Sequence, residues 1–187
     1  YSAYYLPRAP GQSVANPQEG ADGLANTYRL RPDEAVVWVG ETPPEAAYLG
    51  FTDYLMNRDD GSGQRVPVFA SLAETTNNGV IGVDGPADGG KFGKRAMIVH
   101  AADATVAARV RAAAVASGVP DTAITVAPID AVSAQLGTDE GDDALGVLFR
   151  VALFEDAAAG KAWLEMPPAT VYRVTPAEPP AAAAPKD

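Results

Sequence analysis

Residues 95–126 read RAMIVHAADATVAARVRAAAVASGVPDTAITV, and this stretch decides the predicted fold. Its first apolar run ends at His100, and Asp103 stands at the N-cap position of a segment rich in Ala, Val and Arg. Gly118 follows that segment, and the residues from 123 onward favour β-structure again. An Asp cap before an apolar run and a glycine just after it are start and stop signals of a helix. The stretch therefore predicts a strand, a helix and a second strand.

The spacing within the predicted helix indicates which face is buried. Val106, Val110 and Ala113 or Ala114 lie three or four residues apart, so they share one face, while Arg109 and Arg111 can reach water. If the two flanking strands pair in parallel, the crossover between them should be right-handed.

The rest of the chain contains more predicted strands than helices. Runs of apolar, aromatic and β-branched residues predict these strands, and Pro67 in the run 66–71 indicates either an edge strand or the start of a strand. We expect the predicted strands 48–56 and 66–71 to form a hairpin across the turn at 57–63. The whole pattern predicts an α+β fold: a mixed β-sheet with helices mainly on one face. Besides the unit at 95–127 and a candidate short strand at 27–30, the predicted strands are 35–39, 48–56, 66–71, 145–154 and 169–174, and the predicted helices are 129–136 and 157–164.

Composition divides the chain into three parts. Residues 1–23 are rich in Pro, Gly and polar side chains and predict an extended N-terminal arm. Residues 24–175 predict one α+β domain, and residues 176–187 predict a Pro/Ala-rich tail.

Charge and cysteine content exclude several classes of function. The net charge is −10 and the pI is near 4.5, which argues against a nucleic-acid partner and against an anionic membrane surface. With no cysteine in the chain, disulfides and thiolate chemistry are excluded.

Neither a catalytic residue nor a metal or cofactor site is predicted. His100 is the single histidine, and Ser71 and Asp103 are the residues that would complete a triad with it. Ser71, however, lacks the glycine-flanked elbow of a nucleophile, so a structural histidine is the simpler interpretation. The turn at 57–63 resembles a calcium loop in composition but lacks the closing Glu, so we expect a solvated turn.

One group of side chains suits a polar ligand. Uncharged amide and hydroxyl groups near aromatic rings and carboxylates are typical of sites for a sugar or another small polar molecule. The other interpretation is that the Asn and Thr side chains satisfy backbone groups in a long loop. The candidate ligand-binding residues are Tyr48, Asp53, Tyr54, Glu74, Thr76, Asn77 and Asn78.

Four segments carry a resemblance to a known group of proteins: 51–58 (FTDYLMNR), 69–78 (FASLAETTNN), 147–156 (VLFRVALFED) and 167–174 (PPATVYRV). They resemble segments of uncharacterised bacterial proteins, many of them exported, and the likeness covers residues 27–175. The resemblance implies a single domain and a secreted or periplasmic location. It implies no reaction and no catalytic residue.

These observations together favour a binding or structural role over catalysis. We expect a small polar ligand or a protein partner, and the sequence does not specify an oligomeric state. The alternative is a hydrolase that acts on a saccharide or an ester at the Asp53, Glu74 and Asn77 region.

Overall fold

The computed structural model describes residues 6–7, 24–25, 27–86 and 89–177. The predicted arm at 1–23 and the predicted tail at 176–187 lie mostly outside these residues and stay predictions. In chain order the secondary structure is β1 (Leu6–Pro7), β2 (Leu24–Ala25), β3 (Ala35–Glu41), β4 (Ala46–Asp59), β5 (Arg65–Ser71), β6 (Thr76–Asn77), β7 (Arg95–Ala101), α1 (Ala104–Ala116), a 3-10 turn (Asp121–Ala123), β8 (Ile124–Pro128), β9 (Ala144–Phe154), α2 (Ala157–Glu165) and β10 (Ala169–Val174).

The strand–helix–strand unit predicted at 95–127 is confirmed. Strands β7 and β8 pair in parallel, and α1 connects them. The Asp103 carboxylate accepts hydrogen bonds from the backbone N–H groups of Thr105 (2.6 Å) and Val106 (3.1 Å), which caps α1. Gly118 follows α1 with a φ of 95°, a conformation that glycine adopts without steric strain.

The first sheet contains β10, β3, β7 and β8 in that order. It is mixed, because β3 pairs antiparallel with both β10 and β7 while β8 is parallel to β7. Alternate residues of β3 and β7 face opposite sides. Val37 and Val99 pack with Ala107 of α1, whereas Trp38 and Ile98 face the second sheet. Both faces are covered, which explains why these two strands are almost continuously apolar.

The second sheet is antiparallel and is built around β4. Strand β9 pairs along one side of β4, and β5 and β6 pair along the other side. The predicted hairpin is therefore confirmed as β4–β5, and β5, which contains Pro67, is an edge strand as expected.

The two sheets face each other across a row of aromatic rings. The ring centroids of Trp38 and Phe51 are 5.1 Å apart, those of Phe51 and Phe149 are 4.9 Å apart, and those of Phe149 and Trp163 are 5.4 Å apart. Trp163 belongs to α2, so this row links the first sheet, the second sheet and a helix. Such tilted aromatic pairs add about 0.5–1.5 kcal/mol each beyond the burial of their surface.

The predicted α+β fold with a mixed sheet and a βαβ unit is thus confirmed. The strands are divided between two main sheets, which the sequence did not indicate. Helix α1 covers the outer face of the first sheet, and α2 packs against β9 through Trp163 and through Gly160, which lies against the Phe154 ring. The helix predicted at 129–136 is wrong: these residues form turns.

Two arginines attach the acidic loop at 138–143 to the second sheet. Arg58 of β4 forms two hydrogen bonds with the Asp143 carboxylate (2.8 and 2.6 Å), which also accepts the Gln135 N–H (2.7 Å). Arg65 of β5 donates to the carbonyl oxygens of Glu140 (3.0 Å) and Asp142 (2.7 Å). Burial alone would raise the pKa of Asp143, but the hydrogen bonds from Arg58 and Gln135 outweigh it and hold the pKa below its usual value.

Asp143→Asn is expected to lower the free energy of unfolding by about 2–3 kcal/mol at pH 7. The reason is that Arg58 loses the negatively charged carboxylate to which it donates two hydrogen bonds. A carboxyl whose pKa is lowered by folding contributes stability above its unfolded pKa of about 3.9, and this contribution is lost as the pH falls through the folded value. The difference between the two proteins should therefore shrink in acid. Urea unfolding at several pH values measures it, with Asp139→Asn as the control from the same loop. A difference independent of pH would contradict the prediction.

Candidate functional site

The alternation of side chains along β4 separates the predicted ligand-binding residues. Successive side chains of a strand point to opposite faces of the sheet. Asp53 shares the inner face with Phe51 and is only 2% exposed. Tyr48 and Tyr54 lie on the other face, which we call the outer face of the second sheet, and both are half-buried. The structure therefore does not bring Asp53 to the same surface as the two tyrosines.

The polar residues around β6 serve the backbone. Thr76 is buried opposite Phe51. The Asn77 side-chain oxygen accepts the Gly79 N–H (2.8 Å), and that of Asn78 accepts the Leu49 N–H (3.4 Å). Glu74 is exposed. This arrangement matches the structural interpretation of these amides, which hold the 78–81 turn and its junction with β4.

Tyr54, Phe69 and Arg150 form a cluster on the outer face, which we call the aromatic cluster. The Tyr54 and Phe69 rings are stacked with centroids 4.8 Å apart and an interplanar angle of 26°. Arg150 of β9 donates to the Tyr54 hydroxyl (2.8 Å), and its guanidinium carbon lies 5.6 Å from the centroid of the Tyr54 ring. The cluster thus holds two rings and a cation in fixed relative positions.

Phe69 has an unusual backbone conformation for an exposed aromatic residue. Its φ is 56°, in the left-handed region, and the residue is 55% exposed. A bulky residue there costs on the order of 1–3 kcal/mol, and such strain is concentrated at functional sites. Leu153 at the end of β9 shares both properties, with a φ of 57° and 80% exposure.

Polar and aromatic groups continue along the outer face from the aromatic cluster. The hydroxyls of Thr52 and Thr75 are hydrogen-bonded to each other at 2.7 Å. The Tyr48 hydroxyl lies over Gly50, where a Cβ atom would collide with it. Tyr48 and Tyr54 are six residues apart on one strand, or about 20 Å. The face is therefore an elongated surface with an aromatic ring near each end and the half-buried Thr75 between them, whereas Thr52 is buried beneath it.

A second group of polar side chains is mostly buried inside the domain, with Thr175 at its exposed end. The His100 Nδ1 atom lies 2.8 Å from Asp53 Oδ2, and His100 is 1% exposed. Nearby, Glu34 accepts hydrogen bonds from Arg173 (3.0 Å) and Thr175 (2.8 Å). This interior group links β4, β7, β10 and the segment before β3.

Ser71 and Asp103, the residues considered as triad partners of His100, are not hydrogen-bonded to it. The partner of His100 is Asp53, whereas Asp103 caps α1 and the Ser71 hydroxyl donates to the Ala73 carbonyl oxygen at 2.7 Å. Ser71 is exposed, while the His100 ring is closed off from solvent.

Two open grooves flank α1, and neither is lined by any of the predicted ligand-binding residues. One, of about 430 Å³, lies at the C-terminal end of α1 and is lined in part by Val39, Glu41, Arg95, Val119 and Pro168. The other, of about 490 Å³, lies between α1 and the end of β10.

Sequence reasoning missed Phe69 and Arg150. Arg150 interrupts the apolar run 145–154, and a lone arginine in such a strand indicates an outward position beside a partner ring. Phe69 carried no comparable signal, because its conformation is set by its place at the edge of the second sheet.

Comparison with known proteins gave no match: no family model fits the sequence, and neither a curated protein nor a solved structure shows significant similarity to it. Within the described ranges, no helix is long and apolar enough to cross a membrane. In the same ranges, no three His, Asp or Glu side chains are grouped so that they could hold a metal ion.

Proposed function

We propose that this chain is a binding domain whose ligand, an oligosaccharide, lies along the outer face of the second sheet. The observation that carries the proposal is Phe69: it keeps a strained backbone and an exposed ring, yet that ring is stacked on Tyr54. The irregularity in the pairing of β4 with β5 beside Phe69 accounts for its positive φ, but it gives no reason for a large exposed ring at this position, since such a ring recovers little hydrophobic energy.

The chemistry of the face suits a sugar chain. A pyranose ring presents C–H groups on its flat side, which pack on aromatic rings such as those of Phe69 and Tyr48. Its hydroxyls require donors and acceptors, which Arg150 and Thr75 offer next to the rings, while the buried Thr52 hydroxyl holds that of Thr75 in place. The backbone positions of Tyr48 and Tyr54 are about 20 Å apart, and although the Tyr48 side chain leans over Gly50 towards Tyr54, a face of this length favours several linked sugar units over a single one.

The test is calorimetric titration of the protein with a panel of neutral and acidic oligosaccharides. The parent should bind at least one of them, and Phe69→Ala should weaken that binding at least tenfold, which corresponds to about 1.4 kcal/mol. Two matched controls exist: Tyr172→Ala removes an exposed ring from the first sheet, and Leu153→Ala changes the other exposed residue with positive φ. Both should bind like the parent.

Two results would contradict the proposal. One is the absence of binding across the panel, and the other is unchanged binding by the Phe69→Ala protein.

A secreted or periplasmic location for a bacterial protein is also part of the proposal and depends on the resemblance of the four segments to exported proteins. Fractionation of cells that produce the native protein tests it. The hydrolase alternative stays a prediction, and no separate observation favours it, because Asp53 faces the interior while Glu74 is exposed.

A further inference from the structure

A small cavity lies in the core between the two sheets. Its volume is about 20 Å³, and it is lined by Tyr28, Val36, Trp38, Phe51, His100, Val147 and Val171. A cavity needs a volume of at least about 10–15 Å³ to hold a water molecule. The space therefore fits one water molecule and nothing larger.

Three buried polar atoms lie at or beside this cavity. His100 Nε2 has no hydrogen-bond partner among the described residues, and the Tyr28 hydroxyl and Asp53 Oδ1 have none there except each other. The parent residues are 3%, 2% and 1% exposed. Burial raises the pKa of Tyr28 well above its usual value, the negative charge of Asp53 raises it further, Arg173 acts in the opposite direction, and a hydrogen bond with the Asp53 carboxylate also raises it. A buried polar atom without a partner is rare, because leaving it unpaired lowers the stability of the folded state.

The hydrogen-bond donors and acceptors of Tyr28, Asp53 and His100 do not balance. Since a carboxylate only accepts, the His100 Nδ1 atom carries a hydrogen in its 2.8 Å contact with Asp53. In the neutral ring, His100 Nε2 is then an acceptor, as Asp53 Oδ1 is. The Tyr28 hydroxyl gives its single hydrogen to Asp53, so within this group of three residues His100 Nε2 still lacks a donor.

We propose that the cavity binds one ordered water molecule, which bridges the Tyr28 hydroxyl and His100 Nε2. The water donates one hydrogen to His100 Nε2 and the other to the Tyr28 oxygen, whose own hydrogen goes to Asp53. If His100 is protonated, the same water accepts from Nε2 instead. The backbone of Tyr28 is hydrogen-bonded to that of Leu145 in β9, Asp53 lies on β4 and His100 lies on β7. The water thus completes a polar connection across the interface between the two sheets.

The single histidine makes the proposal testable by NMR. In a protein labelled with ¹⁵N, the imidazole signals belong to His100 without ambiguity, and water-selective NOE spectra should show a cross-peak between a long-lived water and the His100 ring. A high-resolution crystal structure should show one water within hydrogen-bond distance of both Tyr28 Oη and His100 Nε2. An empty cavity, or a direct bond between these two atoms, would overturn the proposal.

Tyr28→Phe gives an independent readout. The water loses one partner in this variant, so its NOE to His100 should weaken and the melting temperature should fall by roughly 3–8 °C. Tyr54→Phe is the matched control, because it removes a hydroxyl from a half-buried ring on the outer face and should leave the His100 NOE unchanged. An unchanged water signal in Tyr28→Phe would show that the water does not bind Tyr28 and would overturn the bridge.

Discussion

Phe149→Ala is expected to lower the free energy of unfolding by about 3–5 kcal/mol. Phe149 is fully buried, and its ring lies between those of Phe51 and Trp163. Removal of the ring leaves a cavity at the point where the second sheet meets α2, and two aromatic contacts are lost with it.

Urea unfolding followed by tryptophan fluorescence measures this loss, since both tryptophans belong to the aromatic row. Phe69→Ala is the control, because it makes the same chemical change at a residue that is 55% exposed. We expect the control to lose less than about 1 kcal/mol. Equal losses in the two variants would show that the aromatic row is not the main core.

Asp53→Ala is expected to lower the free energy of unfolding by about 3–5 kcal/mol as well, for a different reason. The substitution leaves the His100 ring buried between the sheets without the carboxylate that accepts its Nδ1 hydrogen. The loss comes from the unpaired polar group rather than from missing volume.

A double-mutant cycle separates the loss of the Asp53–His100 interaction from the loss of side-chain volume. Asp53→Ala, His100→Ala and the double variant should show a coupling of more than about 1 kcal/mol, because either single change orphans the other partner. The exposed pair Arg111–Asp121, at 2.7 Å, is the matched control, and Asp121→Ala should leave the melting temperature near that of the parent. Additive effects at Asp53 and His100 would contradict an interior pair that connects the sheets.

Local signals were sufficient for the secondary structure of the central unit. Asp103 and Gly118 mark the ends of α1 through bonds and backbone angles that involve only neighbouring residues. Pro67 indicated an edge strand for a similarly local reason, since it lacks the N–H that a central strand would use. The turn predicted at 57–63 also formed, with the Asp59 carboxylate accepting the Gly61 N–H at 2.7 Å.

The candidate site depended on information that is not local. Both faces of β4 carry large side chains, Tyr48 and Tyr54 on one and Phe51 and Leu55 on the other, so composition does not reveal which face is buried. Asp53 consequently looked like a surface residue although it lies inside. The sequence alone determined the α+β class, the βαβ unit and the hairpin, because caps, turns and periodicity act over a few residues. Only the tertiary structure decided the division into two sheets, the inward position of Asp53 opposite His100 and the strained, exposed position of Phe69, because each depends on the pairing of strands far apart in the chain.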